Sequence, residues 1–322
     1  MTGDDRPSLS VVIAATDSPL AVDRALGALQ GQVTGWVEVI VCGIGSVSIA
    51  RHPSVRWIPA PPGTGVPRLR WLGLEAARGR VVAFTEDNAL VDLGWAEAWI
   101  SAFKDPSLVA GSGTVGLDGP GSKLDRAVVF CEYAPFLPGG RMATPGRLAG
   151  NNFAILRDVA LPQADGEVHE VSLLTSIRRV GGLVRLIEQA RVQHVRRYGW
   201  GEAFADRIRF GFAFGRLRTV GARPLVRWFG LVAGPAIFAS QVIRLASAVG
   251  SNPRHLGRFL QTLPLTLALL AAWSVGEWAG WSLGPPPPTS RRRRGTRGRT
   301  REPQPAPALS PRFGYKPGPP PA

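Results

Sequence analysis

Glu86, Asp87 and Asn88 follow the apolar run Val81-Val82-Ala83-Phe84 with only Thr85 between. A continuous apolar run reads as a strand buried on both faces, and in open α/β sheets ligands collect outside the carboxyl ends of such strands. Two carboxylates and an amide at that place sit where a ligand would be. The same acids also suit the approach to a helix over WAEAWISAF, whose dipole favours negative charge at its start. Asp17 ends the run SVVIAA and has two readings of equal standing, contact with a ligand or capping of a helix that begins near Pro19. Gly43-Ile44-Gly45 is not a dinucleotide fingerprint: Ser48 occupies the place of the third glycine, and no long helix opens immediately after it.

Such residues need a scaffold. From residue 9 to about 115 short β-branched runs (SVVIAA, VEVIVC, VRWIP, VVAF, LVAGSGTVG) alternate with helical periodicity (PLAVDRALGALQGQ, PRLRWLGLEAARG, WAEAWISAF). That alternation predicts an α/β fold with a mostly parallel sheet. A helix around LDRAVVFCEYA, a loop over PFLPGGRMATPGRLAGNN and helices near 168–181 and 199–220 follow, with no internal repeat. Residues 225–249 and 259–283 then turn strongly apolar. The second of these stretches has a single charge, Glu277, and is long enough for a hydrocarbon core of ~30 Å. Beyond Leu283 proline and arginine dominate and there is little to bury, which predicts disorder. Three regions are therefore expected: 1–220, 221–284 and 285–322.

The net charge of +15 is unevenly placed, since residues 285–322 carry nine Lys or Arg against Glu302 alone. The arginine run has no interleaved aromatics, so nucleic acid is not an expected partner, and basic tails of this kind are commonly solvated or held by anionic lipid. Cys42 and Cys131 are the two cysteines; they give no disulfide framework and fit a reducing compartment. The acidic start MTGDDRPS and the short apolar stretch after it do not make a secretory signal.

Taken in order, SVVIAATDSPLAVDRALGALQGQ, VEVIVC, RLRWLGLEAARGRVVAFTEDNALVDLGW, AGNNFAILRDVAL and GEVHEVSLLTSIRRVGG resemble family 2 glycosyltransferases of GT-A fold, over roughly residues 8 to 215. The hydrophobic end is similar to a membrane-associated branch whose metal motif reads TED followed by a polar residue. The resemblance implies a divalent cation, Mg²⁺ or Mn²⁺, held by the outer residues Glu86 and Asn88 against the diphosphate of a nucleotide-sugar, with Asp87 in the middle and His194 as a late ligand. It implies that Asp17, Arg70, Asp87, Asn151 and Asn152 line the donor site. It also implies an inverting reaction whose base is an acid at a helix start, Glu170 or Glu167, with Glu170 aligning better; helix-start stabilisation is the rival role of one of the two. His169 between them reads as a solvated or packed histidine. One departure stands out: Cys42-Gly43-Ile44-Gly45-Ser46 replaces the acidic pair that reads nucleobase and ribose in the family.

The expected partners are thus a nucleotide-sugar donor, a glycan or lipid-linked acceptor, and membrane lipid, with the catalytic region at the cytoplasmic face of the cell membrane. Two other readings are a degenerate transferase fold that binds without turnover, and nucleic-acid binding through the tail. An even number of crossings follows from the positive-inside rule: two, a hairpin with Arg254, His255 and Arg258 outside and Glu277 near one end of its span, is the favoured arrangement, and none, with both segments lying in the interface as amphipathic or re-entrant elements, is the alternative.

Overall fold

The computed structural model describes residues 7–44, 54–119, 121–140, 147–164, 166–179, 181–219 and 234–285. The tail from 286, the stretch Gly45 to Ser48, the expected boundary near 220 and residues 225–233 of the first apolar segment lie outside the described residues.

Leu9–Ala15 forms β1, buried at all seven positions, as its unbroken apolar run requires. It lies parallel to β2 (Val37–Ile44) on one side and to β4 (Val81–Glu86) on the other, and β3 (Val55–Ala60) adds in parallel to β2. Beyond β4 the sheet becomes mixed. β7 (Asn152–Leu156) runs antiparallel to both β4 and β6 (Leu108–Gly116), while β8 (Leu183–His194) is parallel to β6 and antiparallel to the short β5 (Ala89–Val91). The eight strands stand in the order β3-β2-β1-β4-β7-β6-β8-β5. Because the chain leaves β1 toward β2 and later returns to β4 on the other side, the carboxyl ends of β1 and β4 form a topological switch point, where a crevice opens. Asp17 and the triplet Glu86-Asp87-Asn88 are at that crevice.

The helices are α1 (Pro19–Leu29), α2 (Val66–Ala76), α3 (Trp95–Ala102), α4 (Lys123–Tyr133), the single-turn α5 (Arg157–Ala160), α6 (Glu170–Arg179), α7 (Trp200–Arg218), α8 (Gly234–Gly250) and α9 (Leu256–Leu283). At α1 the capping side chain is Ser18, which accepts from the Ala21 amide at 3.2 Å, so Asp17 is not the cap. Phe84 on β4 stacks on its cross-strand partner Phe153 at 4.7 Å, and Trp95 and Trp99 of α3 meet edge-on at 6.2 Å beneath the sheet.

The C-terminal helices pack onto the rest, and the chain up to Pro286 is one compact unit. The first half of α9 lies on α4, where Phe259 meets Phe130 at 5.3 Å and the Cys131 thiol donates to the Thr266 carbonyl at 3.6 Å. Its second half lies along α7 through four glycines. A Cβ at Gly211 or Gly215 would strike the backbone at Trp273 or Glu277, and one at Gly276 or Gly280 would strike the backbone at Ile208 or Phe212. Contact positions advance together along both helices, so α7 and α9 run parallel, with a Gly-x-x-x-Gly on each side of the seam. Only residues without a side chain permit that approach.

Two expectations about this region are corrected. Glu277 does not reach toward a span end: it is fully buried, accepting from Arg218 Nη1 at 2.6 Å, Trp273 Nε1 at 3.0 Å and Gln241 Nε2 at 3.3 Å. Nor is the α8–α9 turn remote from the sheet, as a membrane-crossing hairpin demands. Asn252 Nδ2 donates to the Leu137 and Pro138 carbonyls at 3.3 and 2.9 Å, His255 Nε2 lies 3.1 Å from the Pro138 carbonyl, and Arg258 pairs with Asp118 at 2.7 Å.

Candidate active site

Arg70 is the hub of the crevice. The helical period of α2 turns it inward, and only 4% of the side chain is exposed. Nη2 donates to Glu86 Oε1 at 2.9 Å and to the Gly150 carbonyl at 2.7 Å, Nη1 donates to Glu170 Oε2 at 3.0 Å, and the guanidinium lies 5.6 Å over the Phe153 ring. A buried cation needs such partners. It therefore draws together three segments that are far apart in sequence: the end of β4, the turn before β7 and the first residue of α6.

Burial pushes the Glu86 carboxyl above the ordinary carboxylate range; the Arg70 charge opposes that shift, and the nearby Glu132 and Glu170 carboxylates add to it. Asp87 does a different job. Its Oδ2 accepts the Thr16 and Asp17 amides at 3.0 and 2.8 Å, fastening the β1–α1 turn to the end of β4. Burial raises its carboxyl to about 7; those amide bonds work against the shift, and the neighbouring Asp17 and Glu86 carboxylates work with it. Asp17 points outward and faces Arg196 at 3.9 Å.

Several buried polar atoms here have no partner within the chain: Asp87 Oδ1, Asn88 Oδ1, both amide atoms of Asn151 and His194 Nδ1. Buried polar groups are nearly always hydrogen-bonded, so a concentration of orphans at the carboxyl edge of a sheet marks where a ligand or water completes them. His194 stands opposite Ala89 in the β5–β8 pairing, and the Asn88 carbonyl accepts from the Val195 amide at 2.9 Å, which brings the imidazole beside the triplet. Burial lowers the His194 pKa, favouring the neutral ring that a metal would require. Among the described residues no three His, Cys, Asp or Glu side chains cluster as a self-sufficient metal site.

Asn152 is corrected. It is fully buried, its Nδ2 donating to the Thr114 and Ala190 carbonyls at 2.9 and 2.8 Å and its Oδ1 accepting from Trp95 Nε1 at 3.0 Å, so it braces β6 and β8 against α3 rather than facing a sugar. Glu167 lies apart from the Arg70 hub, half-exposed and bonded to His169 Nε2 at 2.8 Å. That contact gives His169 a surface partner. The structure thus separates the two glutamates: Glu170 faces the crevice, Glu167 the solvent.

The sequence reading passed over the wall opposite Arg70. There Glu132 pairs with the buried Arg207, and Tyr133 and Tyr198 flank His194 with ring centres at 5.7 and 6.1 Å. Glu132 was legible as an acid embedded in the apolar helix RAVVFCEYA, since a buried charge implies a partner. Arg196 bridges Glu202 at 2.6 Å and Asp206 at 3.6 Å. It also borders a cavity of about 410 Å³ with Thr16, Asp17, Arg24, Asn88 and Arg197. A larger hollow of about 630 Å³ lies at the opposite end of the strands, but its Glu38 carboxylate is taken by Ser10 and Arg78 and no orphan polar atom lines it.

At the end of β2 a Cβ at Gly43 would stand 2.8 Å from both the Ala15 Cβ and the Trp57 ring, so a side chain at that position requires a neighbour to shift. Cys42 is fully buried, and that burial pushes its thiol to about 12.

No family model matches the chain, and no curated protein matches it. Solved structures do. A mannosyltransferase, PcManGT from Pyrobaculum calidifontis, solved with GDP-Man and Mn²⁺, superposes with a TM-score of 0.52 at 16% identity over 84% of this chain and 87% of that one. Glucosyl-3-phosphoglycerate synthase from Mycobacterium tuberculosis, solved with Mn²⁺ and UDP-Glc, gives a TM-score of 0.44 at 16% identity over 61% of this chain and 73% of that one. GalNAc-T7, solved with UDP, GalNAc and Mn²⁺, gives 0.45 at 13% identity over 61% and 45%. The first likeness covers nearly the whole of both chains and is one of architecture: the chain has a GT-A type fold.

Proposed function

We propose that this chain is a family 2 type glycosyltransferase that moves a sugar from a nucleotide-sugar to a glycan, lipid or polysaccharide acceptor, with inversion, at the cytoplasmic face of a membrane. The observation that carries the reading is the set of orphan polar atoms at Asp87, Asn88, Asn151 and His194, gathered at the switch point of a GT-A type sheet. We take residues 1–220 as the catalytic region, 221–284 as its membrane-associated part and 285–322 as a basic tail.

The residues fit a divalent cation that is shared with a diphosphate. Such an ion keeps several waters and needs only one or two protein oxygens besides the substrate's phosphates. Asp87 Oδ1 and Asn88 Oδ1 are unpaired oxygens of the right kind, and His194 Nδ1 is an unpaired nitrogen beside them. When bound, the cation would neutralise charge developing on the departing diphosphate. Glu86 gives one carboxylate oxygen to Arg70 and keeps 15% of its side chain exposed, more than Asp87 or Asn88, and it joins Asn88 as an outer ligand of this set.

The other roles belong to the chain alone. Arg70 contributes fixed positive charge at the back of the crevice. The Asn151 amide, with both atoms unpaired, can donate to and accept from sugar hydroxyls. Glu170, one-third exposed and oriented by Arg70, removes the proton from the attacking acceptor hydroxyl as the bond to the diphosphate breaks. Purified full-length protein incubated with a panel of nucleotide-sugars and Mn²⁺ should release free nucleotide, and a chelator should stop it. A protein that binds a donor yet releases nothing under any condition is the degenerate fold instead.

A further inference from the structure

We propose that the outer face of α9 seats this chain on an anionic lipid bilayer, with the helix lying in the plane of the surface rather than crossing it. The proposal rests on the reading above only in placing the catalytic region at a membrane; the observations behind it are separate.

The first is an apolar row. Leu260, Pro264, Ala268, Ala271, Val275 and Trp278 recur every three or four residues and are all exposed, Leu260 at 54% and Val275 at 57%, while Thr262, Thr266, Leu269 and Glu277 on the other side are buried against the protein. From Leu260 to Trp278 the row is roughly 27 Å long at the helical rise, and no charged side chain interrupts it. A continuous apolar strip of that length on a water-soluble surface marks an interaction face. Ile243 of α8, at 65% exposure, adds to the apolar surface of the C-terminal helices.

The second observation is charge. Residues 207–285 contain nine arginines and no lysine against one acid, Glu277, and that acid is buried. Exposed Arg244 and Arg254 belong to this set, whereas Arg209 is paired with Asp206 just before it. An apolar strip accompanied by guanidinium groups matches a layer of acyl chains beneath anionic headgroups. The same excess of positive charge makes the surface self-repelling, so a second copy of this chain is a poor occupant.

The third observation weighs against a crossing, for which α9 is long and apolar enough by length and composition. The α8–α9 turn is bonded to Leu137, Pro138 and Asp118, and α9 is packed along α4 and then along α7 through the glycine seam. To span a bilayer α9 would have to leave both helices.

Flotation of the full-length protein with vesicles tests this. It should bind phosphatidylcholine vesicles that contain phosphatidylglycerol and bind those of phosphatidylcholine alone far more weakly, and added salt should release part of it. Leu260→Glu with Val275→Glu should cut partitioning by about tenfold or more while thermal midpoint and nucleotide release stay unchanged. In intact cells a cysteine placed at Ser251 should be shielded from an impermeant thiol reagent. Equal binding of the double variant, equal binding to uncharged vesicles, labelling at position 251 from outside, or a wild-type dimer that the double variant breaks would each overturn the proposal. Absent nucleotide release with vesicle binding intact would instead overturn the transferase reading alone.

Discussion

Arg70 and Glu170 are separated by a hundred positions in sequence and joined by a 3.0 Å ion pair. The same guanidinium holds Glu86, so an acid at the end of β4 and an acid at the start of α6 are positioned by one buried cation.

That geometry ranks the two glutamates. Glu170→Gln should keep donor binding and lower the transfer rate by ~10² or more, the scale of a lost general base. Glu167→Gln, whose carboxylate bonds His169 at the surface, should change the rate little. Steady-state rates with a donor-binding titration check both; a larger loss from the second substitution would reverse the assignment.

Arg70→Lys tests the hub itself. Lysine keeps the charge but cannot form the fork that reaches Glu86, Gly150 and Glu170 together. The variant should lose ~3 kcal/mol or more of stability, as expected when a buried ionic network is broken, and lose activity with it. Denaturant unfolding measures the first and nucleotide release the second. Full stability with unchanged turnover would show that Arg70 has no positioning role.

Asp125 offers a pH test outside the crevice. It closes the capping box of α4 with Ser122 and accepts the Tyr198 amide at 2.9 Å, thereby placing the ring beside His194. Burial alone would raise its carboxyl, but the bonds from Ser122, Tyr198 and Arg197 outweigh burial and hold it below the usual range. A depressed carboxylate contributes stability above its unfolded pKa of ~3.9 and loses it as the pH falls through the lower folded value. Asp125→Ala should therefore cost ~1–2 kcal/mol near neutral pH, with the gap to wild type narrowing below about pH 4. A gap that is constant with pH would remove the ionised carboxylate from the explanation.

The first half of the fold was legible because its signals are local. Strand periodicity over residues 9–44 and 81–86 and the acidic triplet after Phe84 need no tertiary information, and the strands appear where the pattern places them. What was missed depends on packing. Asn152 looks like a sugar-facing amide beside Asn151, and both are fully buried, yet Asn152 has its partners inside the chain, Trp95 and two carbonyls, whereas the Asn151 amide has none. Arg207 is buried on the same helix as the exposed Arg209, a difference that its pairing with Glu132 sets and that the sequence of the helix does not show. The apolar row of α9 reads as a membrane span by composition; only its other face, with buried Thr262, Thr266 and Glu277, shows that half of the helix belongs to the protein.

The α7–α9 seam gives the last prediction, because the two helices approach until their backbones touch. Gly215 faces the Glu277 carbonyl so closely that a methyl group cannot enter without parting the helices. Parting them would also pull Glu277 from Arg218 on the same helix as Gly215, exposing a buried acid. Gly201, on the first turn of α7, has open space where its Cβ would be. Helix propensity alone makes Gly→Ala favourable by ~0.5–1 kcal/mol at both positions. Gly201→Ala should accordingly raise the unfolding midpoint slightly, whereas Gly215→Ala should lower stability by ~2 kcal/mol or more, overpacking outweighing the propensity gain. Thermal unfolding of the pair measures the difference directly. If Gly215→Ala is as well tolerated as Gly201→Ala, the two helices are not held at backbone contact and the seam is not what docks α9 onto the catalytic unit.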